Sequence, residues 1–198
     1  MQKANPAPLG LAGFAFTTWM LSMVNAGWYS AHDLGMVLAL AMAYGGTAQL
    51  VAGVLEYTAG NTFGMMAFFS YGAFWWSFAL FVHFFAAGVS AQYVGWYLLL
   101  WGVVTFYLWL GTFDKTRALQ FVFLALWVTF VLLAIGDFGV GAIFGTLGGY
   151  VGLLTALLAF YTSAAEIINV SRGKTVLPVG PYNRVADAGV PIVSQNAV

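Results

Sequence analysis

The chain has 198 residues, with six Lys/Arg, six Asp/Glu and no cysteine. It is 62% hydrophobic and 6% charged, with a mean hydropathy of +0.89, whereas a soluble domain carries about 25% charged residues. Such a supply cannot cover a water-facing surface, the balanced charge offers no basic stripe for nucleic acid, and the missing cysteine excludes disulfides, thiolate catalysis, iron–sulfur clusters and Cys-based zinc sites.

Residues 1–8 read as a short N-terminal segment carrying Lys3 and the run Asn5-Pro6-Ala7-Pro8. Six apolar runs follow, predicted as helices over Leu9–Trp28, Leu34–Leu55, Thr62–Ala87, Tyr93–Phe113, Ala118–Ile135 and Ala142–Ile167. Each is near the ~20 residues that cross ~30 Å of hydrocarbon. The expected fold class is an all-α integral membrane protein, one bundle of six transmembrane helices over residues 9–167. The first run is about 20 residues long behind a Pro-containing flank, so an uncleaved helix is expected there and not a signal peptide. The third run is the longest of the first five, and a tilt or a break near Gly72 is expected. Residues 168–198 are expected to form a cytoplasmic tail, partly disordered.

The cations fall on alternate connections: Lys3 before the first run, Lys115 and Arg117 between the fourth and fifth, and Arg172, Lys174 and Arg184 after the sixth. Loops rich in Lys/Arg stay inside, so both termini are expected to be cytoplasmic, in a cell (plasma or inner) membrane surrounded by lipid. Gly141, Gly145 and Gly149 form overlapping small-xxx-small pairs, and Gly148 pairs with Gly152. These faces suit tight helix contact, either within the bundle or between protomers.

Polar residues inside hydrocarbon usually face neighbours or a wet path. The first run carries Thr17, Thr18, Ser22 and Asn25; the second carries Gln49 and, near its end, Glu56; the third carries Asn61, Tyr71 and Trp75; the fifth begins with Arg117 and Gln120. Gln49 and Glu56 are seven apart, hence on one face, beside Gly45, Ala52 and Gly53. A lone Thr or Ser can satisfy itself on its own helix carbonyl, and Glu56 can be an interfacial carboxylate. An amide such as Gln49 has four bonding positions to fill. His32 and His83 are too far apart in the chain to suggest a metal or haem pair, and no span holds a lysine for a Schiff base. No Ser–His–Asp set, HExxH or phosphate loop is present, so an enzyme is not expected, and no cofactor or metal is.

Asn5-Pro6-Ala7-Pro8-Leu9-Gly10-Leu11 combines two extended prolines with a helix start that leaves N–H groups free for an anion. This string closely resembles the signature of the acetate uptake transporter family, which includes bacterial succinate–acetate permeases and yeast ammonium/acetate exporters. Tyr44-Gly45-Gly46 with Ala48-Gln49, Leu55-Glu56-Tyr57, Gly60-Asn61-Thr62-Phe63-Gly64, Ser70-Tyr71-Gly72-Ala73-Phe74-Trp75, Leu119-Gln120-Phe121-Val122-Phe123 and Thr175-Val176-Leu177-Pro178 extend the likeness over about residues 4–180.

The resemblance implies a six-helix protomer, a homo-hexamer with one pore per protomer, and a central hydrophobic narrowing. Carried over residue by residue, the narrowing is Phe14, Tyr71 and Leu126, the last placed by counting from Leu119. Asn5, Thr17, Gln49 and Glu56 match polar positions of the family along the path, which with Tyr71, Trp75 and Gln120 make the expected substrate pathway. The same rings can equally be read as an aromatic core. The implied function is passage of acetate and other small carboxylates. Such acids are anionic at neutral pH, and an inside-negative potential opposes their entry by about 2.3 kcal/mol per 100 mV. A co-moving proton is therefore expected, with Glu56 its candidate site. A passive anion channel and a non-transporting scaffold are the competing readings.

Overall fold

The computed structural model describes residues 4–180. Lys3, Arg184 and the remainder of the tail lie outside the described residues.

Six helices are long and apolar enough to cross a membrane: α1 (Ala7–Asn25), α2 (Ala31–Thr58), α3 (Thr62–Phe85), α4 (Ala91–Leu110), α5 (Arg117–Asp137) and α6 (Ala142–Arg172). Local chemistry sets most of their starts. The side chains of Ser30, Asn61, Ser90 and Thr116 each accept a hydrogen bond from a backbone N–H in the first turn that follows, which removes one orphan donor per helix. Gly60, at φ +76°, turns the chain between α2 and α3 in a conformation that L side chains rarely adopt.

Sequence neighbours pack side by side, α1 on α2, α2 on α3 and α4 on α5, and α1 closes the bundle by lying along α6, which also packs on α5. The α3–α4 side is aromatic, with Tyr71 and Phe74 meeting Trp101 at 6.4 and 5.3 Å between ring centres. The glycines of α6 divide. A Cβ on Gly148 would strike Leu133, on Gly149 the backbone at Ala26, and on Gly152 the Ser22 side chain, so these three are contacts within the bundle. Gly145 has open space there.

Every helix departs from its expected bounds by a few residues at one end or both, and four departures have structural content. The first helix begins at Ala7 and ends at Asn25, because Pro8 is tolerated in a first turn whose N–H groups lack partners anyway. No break occurs at Gly72. Instead, α3 relaxes into a π-helical turn at Phe81–Phe85, and α2 contains a second one at Ala43–Ala48. The last helix runs on to Arg172 and stops where Gly173 takes a left-handed conformation. Finally, residues 174–180 do not trail away. They form a strap back over the bundle end: Asn169 Oδ1 accepts from the N–H groups of Val176 and Leu177, its Nδ2 donates to the Leu177 carbonyl, and Tyr161 donates to the Pro178 carbonyl. The strap then supplies the Val179 and Gly180 carbonyls to the N–H groups of Ala118 and Arg117 at the start of α5.

Candidate functional site

The π turn of α2 sits at a crowded crossing. Gly13 of α1 lies against the Tyr44 carbonyl and Gly45 against Thr17, with no room for a Cβ at either. Thr47 Oγ1 donates to the Met42 carbonyl five residues back, at 2.7 Å. The wide turn shifts the helical register just before Gln49, which is the first residue of the regular helix that resumes. Gln49 is only 1% exposed, and both of its amide atoms lack a hydrogen-bond partner. A buried amide in that state is costly unless something occupies the space in front of it.

That space is a cavity of about 210 Å³ at the bundle end carrying residues 4–8, 112–116 and the strap. Asn5, Gln49, Glu56, Asn61, Tyr71, Lys115 and Glu166 supply its polar wall, and Phe14, Phe68, Phe123 and Leu126 much of its apolar one. It is smaller than the ~300–1,000 Å³ usual for drug-sized ligands. Glu56 is buried, with Oε2 accepting from Asn61 Nδ2 at 2.8 Å and Oε1 unpartnered. Asn61 also caps α3 by accepting from the Gly64 N–H. A Cβ on Gly64 would collide with both the Asn61 amide and the Glu56 carboxyl, which gives the Gly60–Gly64 motif a physical reason. Asn5 sits outside the helix proper, where its Oδ1 accepts from the Ala7 N–H at 3.0 Å and its Nδ2 donates to Glu166 Oε2 at 2.6 Å.

A second, larger cavity of about 620 Å³ lies at the opposite end, walled by Phe74, Phe78, Phe81, Tyr97 and Phe130, with Asn25 and Asp137 among its few polar groups. Between the two stands a packed apolar layer. Phe14, Tyr71, Phe74, Leu126 and Phe130 are each at most 6% exposed. Phe14 meets Tyr71 at 5.7 Å and Phe74 meets Phe130 at 5.4 Å. The Tyr71 hydroxyl donates to Thr105 Oγ1 of α4.

Of the residues singled out from sequence, the structure therefore gathers Asn5, Phe14, Gln49, Glu56, Tyr71 and Leu126 around one cavity. Thr17, Trp75 and Gln120 are not among the residues lining either cavity. Thr17 donates to its own helix at the Gly13 carbonyl, Trp75 is buried against Phe74 and Phe78, and Gln120 is half-buried in the first turn of α5. Three partners were not anticipated as site residues: Asn61, Thr105 and Glu166. Asn61 had a visible signal in its Gly-Asn-Thr string. Glu166 had none, since a carboxylate near the end of an apolar run looks like any interfacial group.

Comparisons with known proteins identify relatives of the whole chain. The chain is 45% identical over 181 residues to the succinate-acetate/proton symporter SatP of Escherichia coli K12, which covers 89% of this chain and 95% of that protein. It is 39% identical to ammonia transport outward protein 2 of Saccharomyces cerevisiae, across 90% of this chain and 66% of that one. Acetate permease A of Emericella nidulans is 36% identical over the same share of each. The solved structure of the bacterial acetate channel SatP superposes with a TM-score of 0.87 at 44% identity, covering 90% of this chain and all of that one. Those relatives are named as transporters or channels. The GPR1/FUN34/yaaH family model matches residues 1–183, and the chain belongs to that family.

Proposed function

We propose that this protein transports acetate and other small carboxylates, succinate among them, across a cell membrane with proton coupling, through a pathway inside each protomer. The observation that carries the reading is the unsatisfied Gln49 amide facing a small cavity that ends on a packed apolar layer. A carboxylate offers oxygens to the amide N–H groups, and its methyl group can face Phe14 and Leu126. Asn5, Gln49 and Glu56 are the pathway residues best supported by position, and Phe14, Tyr71 and Leu126 the narrowing. Thr17, Trp75 and Gln120 act, in this reading, by supporting the walls.

The packed layer favours a transporter over an open pore, because the two cavities share no lining residue. Proton coupling gives a reason to accumulate: each pH unit supplies about 1.4 kcal/mol to an electroneutral one-to-one symporter. Described cations Lys115, Arg117, Arg172 and Lys174 all sit at the strap end, which supports placing that end, and both termini, in the cytoplasm. The exposed apolar residues Trp96, Leu100 and Val103 on α4 suit lipid or a neighbouring protomer of a homo-hexamer, which native mass spectrometry would count.

Proteoliposomes test the activity. Saturable labelled-acetate uptake under an imposed pH gradient, abolished by a protonophore, is expected; absence of saturable flux would sink it. Planar-bilayer recording separates the passive channel: currents reversing at the acetate equilibrium potential would replace the symport reading.

A further inference from the structure

Glu166 is half-buried and lines the same cavity as Glu56. They come from α6 and α2, and each is gripped through one oxygen by a different asparagine, Asn5 and Asn61. The described titratable groups lining this cavity are Glu56 from α2, Tyr71 from α3, Lys115 from the α4–α5 connection and Glu166 from α6. Among the described residues Lys115 is the single cation on the wall, and its ammonium is drawn to Asp114 at 3.5 Å and to the face of Phe63. Two acids alone would be no site. Here the unpartnered Gln49 amide, almost fully buried on the same wall, points to a ligand that enters between them.

We propose that Glu166 pairs with Glu56 across this cavity and that the two carboxylates hold one proton between them, making Glu166 a proton-handling residue of transport. The proposal rests on the carboxylate-transport reading. A substrate anion entering beside two ionised acids would put three like charges in a small, poorly hydrated space. One proton taken from water by the pair removes that conflict. It leaves the cavity's net charge unchanged, since one negative and one positive charge enter together. It also turns one carboxylate oxygen into an O–H donor for the substrate, beside the Gln49 amide. On release, the substrate leaves as the anion and the proton returns to water on the far side, so atoms and charge balance over the cycle.

The test uses full-length protein in proteoliposomes with the voltage clamped by potassium and valinomycin. Labelled-acetate uptake driven by a pH gradient is divided by acetate exchange measured at equal pH, for wild type, Glu56→Gln, Glu166→Gln and the double variant. Each single variant is expected to lower this ratio at least tenfold, with the double no lower than the singles, because a shared proton is lost once. A wild-type ratio in Glu166→Gln, or a double variant falling by the product of the singles, overturns the pair while leaving transport standing. No exchange by wild type overturns both. Should Glu166→Gln not fold, infrared difference spectra decide: acetate added at neutral pH brings up one protonated-carboxyl band in the wild type, shifted in Glu166→Asp. No band, or an unshifted one, overturns the proposal.

Discussion

The Tyr71 hydroxyl donates to Thr105 Oγ1 at 3.0 Å, so the ring that meets Phe14 is held in place from the fourth helix. Thr105 in turn donates to the Trp101 carbonyl at 2.8 Å. Tyr71→Phe therefore leaves Thr105 with a partner, and only one bond is lost. The expected cost is about 1 kcal/mol, a fall in melting temperature of about 2–4 °C for a chain of this size. Thermal unfolding in detergent measures it; a collapse of the fold would show that the hydroxyl holds more than its ring.

Leu126→Ala removes a side chain that borders the cavity directly beneath the packed layer. Larger acids such as lactate should compete better against acetate, by roughly tenfold, since the room for a methylene or two in an apolar pocket sets discrimination of that order. Competition uptake assays read the ratio. Unchanged selectivity would place the narrowing elsewhere.

Gln49→Leu tests the buried amide. It relieves two unpartnered polar atoms, so the protein should lose no stability, while half-saturation for acetate should rise roughly tenfold or more, the worth of a hydrogen bond to a charged group. The two readouts must move separately: unfolding temperature and uptake kinetics shifting together would mean a packing role alone.

Gly149→Ala and Gly145→Ala form a matched pair on one helix. The first drives a methyl into the backbone at Ala26, whereas the second meets open space. Gly149→Ala should sharply cut folded yield, and Gly145→Ala should leave it level or raise it through better helix propensity. Size-exclusion profiles after detergent extraction distinguish them.

Asn169→Ala removes the three hydrogen bonds that fix the strap at Val176 and Leu177. The Arg117 and Ala118 amides, which donate to strap carbonyls, should then exchange with deuterium at least tenfold faster. Unchanged protection there would mean that α5 is capped without the strap.

The bundle itself was readable from the chain because hydrocarbon admits only helices or closed barrels, and six apolar runs separated by Gly, Ser and Asn leave little choice. Gln49 and Glu56 were readable as one face from their seven-residue spacing. The π turn that precedes Gln49 was not, since Ala43–Ala48 carries the same small residues that any tight helix crossing would use. Glu166 was out of reach for another reason: its partner Asn5 is 161 residues away, and that contact exists only once α1 lies along α6. The strap is not legible in the sequence, because Pro and Gly mark a turn from helix without saying where the following backbone finds its hydrogen bonds.

The packed layer of Phe14, Tyr71, Phe74, Leu126 and Phe130 has an energetic consequence for the cell. Protons cross proteins fastest by hopping along an unbroken file of hydrogen-bonded water molecules, and two cavities parted by touching rings offer none. A membrane that stores its power as a proton gradient can therefore hold many copies of such a protein at rest without short-circuiting itself.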